Sequence, residues 1–221
     1  NTDLMVQING IVNEYIHVEK PDQEAVPSRQ FDISKIDFEL LSREFAHTRR
    51  KNLLLRDLDE LVNQQLAKML FANPQRIDYY DRYQEIIDAY NAEQNRATIE
   101  KTFMDLMELA SSLDTEQQRY VREGFSSDEE LSVYDLLFSE KLTKQEIETI
   151  KKVSVDLLTK IKQQIAKLDH WTDKQETKAI VDNLIRNTLW QELPNSYDVS
   201  DIQTYQKKIY EYVYMRYPEV A

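Results

Sequence analysis

Along most of this chain apolar residues return every third or fourth position, the spacing that places them on one face of a helix. The pattern is clearest where Tyr79, Tyr83, Ile86, Ile87 and Tyr90 share one face and Asp81, Arg82, Glu85 and Asp88 the other. Asn73-Pro74 precedes this stretch, and proline is tolerated in a first helical turn, so a helix is expected from there to residues 92–95. A tyrosine-lined face of this kind serves either as core or as a partner-facing surface. Upstream, Phe38, Leu41 and Phe45 form a stripe behind a capping-box-like Ser34-Lys35-Ile36-Asp37. A second helix is expected from near Asn52, with Leu55, Leu58, Val62, Leu66 and Met69 among its apolar positions.

The same reading carries through the second half. Residues 98–113 repeat the stripe with Phe103, Leu106, Met107 and Ala110. Thr115 with Gln118 predicts a separate short helix, closed by Gly124 in a left-handed conformation. Ser127 with Glu130, and Thr143 with Glu146, predict two capping boxes. The second box opens a long helix through Ile147, Ile150, Val153, Leu157, Ile161 and Ile165, broken around 169–172. Asp173 is the expected cap of a helix that Pro194 stops, and a last helix is expected from about Ser200 to the residues before Pro218. Residues 1–18 allow a helix interrupted by Gly10, and 19–30, with Pro21 and Pro27, read as a linker. Gly10 and Gly124 are the chain's only two glycines, too few to punctuate a many-stranded sheet. The expected fold is therefore all-α: an irregular bundle or array of about nine helices, without sheet. Residues 31–221 form the expected helical domain, divided into sub-bundles 31–96 and 97–221.

Three blocks of the sequence act together. The first is Asn73-Pro74-Gln75-Arg76-Ile77-Asp78 with the tyrosine helix after it. The second is Val121-Arg122-Glu123-Gly124-Phe125, then Glu130-Leu131 and Tyr134-Asp135-Leu136-Leu137. The third is Leu168-Asp169-His170-Trp171-Thr172-Asp173-Lys174-Gln175, running on to Leu193-Pro194-Asn195-Ser196-Tyr197. In this order and spacing the chain resembles the C-terminal region of type I restriction enzyme R (restriction) subunits, over about residues 31–217. His170 stands between the Asp and Trp that this family is expected to keep adjacent. The resemblance implies a bacterial or archaeal cytoplasmic protein whose parent subunit hydrolyses ATP with Mg, translocates DNA and cuts it. It also implies that residues 1–30 follow the motor region. This C-terminal part is expected to dock the subunit onto the methyltransferase core of methylation and specificity subunits.

Charge changes that picture in one respect. The 221 residues hold 28 Lys and Arg against 40 Asp and Glu, a net charge of −12, which repels a phosphate backbone at long range. The imbalance is uneven: 99–140 hold eleven acids and three bases, and 141–167 hold seven lysines and three acids. Either two solvated faces or an electrostatic docking surface accounts for this. On the docking reading, Asp128, Glu129 and Glu130 are candidate partner contacts, together with Trp171 and Tyr205. Trp190 is either packed or a partner hot spot. An alternative has Arg49, Arg50 and Lys51, with the 141–167 helix, lining a path for duplex DNA.

No catalytic, metal-binding or cofactor-binding residue emerges. Neither glycine lies in a phosphate-cradling context, and there is no cysteine. His17, His47 and His170 are far apart, without ligand spacing. Glu176-Thr177-Lys178, the only Glu-x-Lys, sits in a helical pattern rather than at a strand end. ATP and Mg are thus expected elsewhere in the parent subunit, this chain by itself is expected not to be an enzyme, and no apolar run suits a membrane.

Overall fold

The computed structural model describes residues 36–93 and 95–218. The expected N-terminal helix, the linker and the Ser34 end of the first cap lie outside the described residues. Among those residues there are nine α-helices and no strand. They form two compact units that divide at Arg119 and Tyr120, not after residue 96.

In the first unit, Asp37 caps α1 (Phe38–His47) by accepting from the Leu40 N–H at 2.9 Å. Helix α2 (Lys51–Ala72) ends at Asn73, whose side chain accepts from the Gln75 N–H at 3.1 Å and opens a 3₁₀ turn at Pro74–Arg76. The tyrosine helix α3 (Ile77–Ala92) follows, and Asn95 caps α4 (Arg96–Gln117) through the Thr98 N–H. Helix α4 packs against both α2 and α3, which meet each other far less. That is why the division lies beyond α4: its apolar side, with Phe103, Leu106, Leu109 and Leu113, completes the core of Leu58, Val62 and Leu66. Phe45 of α1 joins by stacking on Phe103, with centroids 3.6 Å apart.

Two sequence expectations are corrected here. No helix starts at Thr115, because its hydroxyl donates to the Ser111 carbonyl within α4, which runs on to Gln117. The tyrosine face is only partly core: Tyr83 and Ile86 are buried, whereas Tyr79, Ile87 and Tyr90 are half-buried at the edge.

A single turn, α5 (Arg119–Arg122), begins at the last residue of the first unit and leads to Gly124 at φ 83° in the second, as the left-handed closure requires. Four helices then follow: α6 (Asp128–Leu137), α7 (Lys144–Ile165), α8 (Gln175–Glu192) and α9 (Val199–Arg216). Each packs on the next, and α9 returns to α6, which closes a four-helix bundle. Leu131, Leu137, Ile150, Leu157, Ile161, Ile185, Leu189 and Ile209 fill it.

The Thr143–Glu146 capping box is present, and Asp198 with Asp201 forms a second one at the start of α9. The Ser127 box is half-formed. Ser127 accepts from the Glu130 N–H, but Glu130 reaches past it to the Ser126 N–H at 2.7 Å. Asp173 does not cap α8; Lys174 stands there without a side-chain bond, and Thr177 instead donates to the Trp171 and Lys174 carbonyls.

Tyr83 joins α3 to α2 by donating to Asp59 at 2.8 Å and accepting from Asn63 at 3.0 Å. Tyr83→Ala removes a buried ring and both bonds and is expected to cost about 3–5 kcal/mol. Half-buried Ile87→Ala is expected to cost about 1–2 kcal/mol. Urea unfolding of the two variants checks this order; equal losses would contradict it.

Candidate functional site

Two of the acids expected to face a partner, Glu129 and Glu130, are engaged within the second unit. The first turn of α6 is half-buried. Glu129 pairs there with Lys162 of α7 and with Arg216 at the end of α9, the latter at 3.7 Å. Burial opposes its charge. The hydrogen bond and field of Lys162, then the Tyr217 hydroxyl and Arg216, outweigh that and hold the carboxyl below the usual glutamate range. Glu130 is spent on the Ser126 N–H, and the Asp128 carbonyl accepts from the Ser132 hydroxyl at 2.8 Å.

Trp171 lies deeper than these acids. It is 1% exposed, so its ring packs inside this unit. His170, just before it, takes a left-handed φ of 45°, and the Asp173 N–H bonds back to its carbonyl at 3.0 Å. Trp171 lies in the core cluster, with its Nε1–H donating to the Tyr217 carbonyl at 2.6 Å. The two aromatic rings of Tyr210 and Tyr214 meet it edge-on at 6.2 and 5.7 Å. Tyr205 is half-buried, its ring edge-on to Tyr197 at 5.4 Å with Lys208 over it at 5.5 Å. Tyr197 in turn donates to the Leu137 carbonyl at 2.7 Å, at the end of α6. Trp190, by contrast, is 50% exposed.

The basic candidates divide in the same way. Arg49 and Arg50 are exposed in the loop before α2. Lys51 is committed to Glu100 at 2.6 Å and lies 4.9 Å from the Phe45 centroid. Along α7, Lys151 binds Glu123, Lys160 binds Asp156 and Glu192, and Lys162 binds Glu129. The lysine excess of 141–167 is therefore partly neutralised by acids distant in sequence, and the helix is a weaker cationic path than its composition suggests.

Sequence reasoning missed the most deeply buried charges. Arg76 and Glu116 side chains are 3% and 7% exposed and pair at 3.1 Å, with Arg119 adding a 3.0 Å contact to the same oxygen. The available signal was Glu116 falling on the apolar side of α4, three residues after Leu113. The pair ties the turn before α3 to the end of α4.

Two depressions in the described surface do not assemble a reaction centre. One of about 260 Å³ lies among α2, α3 and α4, lined by Leu55, Arg56, Asp59, Ile87, Tyr90 and Leu106. Burial pushes the Asp59 carboxyl up, and its bond from Tyr83 opposes that. An open one of about 560 Å³ lies between Phe125 and Val155 of the second unit, with Lys151 already bonded to the Glu123 carbonyl at 3.0 Å. Among the described residues no group of three or more His, Asp or Glu is placed to hold a metal ion. Nor is any described helix long and apolar enough to cross a membrane.

Residues 3–217 match the family described as type I restriction enzyme HindI endonuclease subunit-like, C-terminal. The match begins well before residue 31, from which the resemblance was expected to run. No curated protein and no solved structure matches the chain.

The Glu129 pair has a pH signature. A carboxyl whose folded value lies below 4.5 contributes stability that is fully present above that value and is lost as pH falls through the folded one. Glu129 is partly solvated, so the contribution is about 0–1 kcal/mol. Glu129→Gln is expected to be less stable than the parent at neutral pH, with the gap closing in acid. Denaturant titrations across the acid range measure it, and a gap that widens in acid would refute the assignment.

Proposed function

Because the chain belongs to the C-terminal family of HindI-like type I restriction endonuclease subunits, we propose that it is a non-catalytic assembly domain. It docks the ATP-dependent, DNA-translocating and cleaving subunit onto the methyltransferase core. The partners are the methylation and specificity subunits, DNA is reached through the whole complex, and the setting is the cytoplasm.

One observation carries the reading. The ionisable groups that would attract attention as chemistry are spent on holding helices together. Arg76 and Glu116 close the end of α4, Tyr83 and Asp59 join α3 to α2, and Glu129 with Lys162 joins α6 to α7. What remains for function is outward helix surface, and recognition between folded surfaces is what such a scaffold supplies. The pairing of Lys51 and of three α7 lysines favours a protein partner over a DNA path.

The chain is expected to bind the purified methylation–specificity complex in a pull-down and to add nothing to ATP hydrolysis or Mg-dependent DNA cleavage by itself. Turnover abolished by a point substitution within this chain would overturn the non-catalytic part. Failure to bind the complex would overturn the docking part.

A further inference from the structure

The sequence left Trp190 with two roles, and the structure removes one. Helix α8 buries Val181, Ile185, Thr188 and Leu189. The opposite arc carries Ile180, Asn183, Arg186, Asn187 and Trp190 at helical spacing, about 15 Å from end to end. Ile180 is 42% and Trp190 50% exposed. A single exposed apolar residue means little, but two large ones on one helix face, with amides between, form a patch.

Its charge is unusual for this chain. Glu176 opens the helix on that arc, yet from residue 179 to 191 the arc holds one charged side chain, Arg186. Asp182 is turned to α9, where it accepts from Gln206 at 2.8 Å, and Glu192 is held by Lys160. Arg186 donates to Asn183 at 2.7 Å and forms no ion pair among the described residues. In a chain with 40 acids against 28 bases, more than three helical turns without an outward carboxylate leave a place where an acidic surface can approach. Tryptophan and arginine are also the residues that concentrate binding energy at interfaces, where other charges are depleted.

We infer that this arc of α8 is the docking face for a partner protein that offers an apolar pocket to Trp190 and a carboxylate to Arg186. The inference rests on the assembly reading and gives it a location. A second copy of this chain fits less well: a two-fold contact would face Arg186 with Arg186 and bring together two chains of net charge −12. Duplex DNA fits less well too, since one arginine neutralises too few phosphates to hold it.

The test measures binding of the chain to an immobilised methylation–specificity complex, for the parent, Trp190→Ala and Arg186→Glu. Each variant should bind at least about tenfold more weakly. Both should melt with the parent, since neither side chain is buried. The loss in Arg186→Glu should shrink as salt rises. If Trp190→Ala melts early, Arg186→Glu carries the result alone. Variants that bind as tightly as the parent overturn the α8 assignment and leave the assembly reading standing. A parent that does not bind overturns both. Arg186-dependent dimerisation in sedimentation, or an Arg186-dependent shift of duplex DNA, assigns the face to another occupant and also overturns the inference.

Discussion

The constraint on which the architecture depends is the satisfaction of backbone groups at helix ends. Each helix leaves N–H groups at its start and carbonyls at its finish without partners inside the helix. With two glycines in the chain, left-handed glycine closures can serve very few of those ends. Side chains do most of the work. Asp37, Asn73, Asn95, Ser127, Thr143 and Asp198 each accept from a backbone N–H one turn or less ahead. Tyr197 serves a finish, donating to the Leu137 carbonyl. Helix lengths, and with them the pairings that build both units, follow from where these short polar residues fall.

This is also why so much of the fold was legible in sequence. Caps and apolar stripes are local, and they place Asn73-Pro74, Ser127, Thr143 and Gly124 in their observed roles. Where a local signal competed with continuing helix, the reading failed: Thr115 has a capping residue's chemistry, but α4 runs on to Gln117, with Glu116 held by Arg76, and the Thr115 hydroxyl bonds back to Ser111. Periodicity also names a face without giving its depth. Trp171 and Trp190 look alike in sequence, yet one lies in the core and the other in solvent. The difference arises from His170 and the Tyr217 carbonyl, 46 residues from Trp171. Likewise Ile87 shares a stripe with Tyr83 but lies at its margin.

The candidate surface was least legible, because charge counted along a chain is not charge displayed in space. The acid-rich and lysine-rich stretches looked like two opposed faces. In the fold Glu129 meets Lys162, Glu123 meets Lys151 and Glu192 meets Lys160, so much of the contrast is consumed internally. The electrostatic feature that remains is closer to a gap than a cluster: a helix face where carboxylates are missing. Such a gap has no sequence motif. It becomes visible only when Asp182 and Glu192 are seen to turn away from it.

The unequal packing within the first unit has a mechanical consequence. Helix α4 is gripped by α2 on one side and α3 on the other, while the seam between α2 and α3 is thin and holds the smaller depression. Helix α4 is the unit's shared spine: without its packing, α2 and α3 would be held together mainly by the Tyr83 bonds to Asp59 and Asn63 and by the turn at Asn73. In that turn Asn73 and Pro74 are both buried, and Arg76 beside them is paired with Glu116, which fixes the start of α3 to the end of α4.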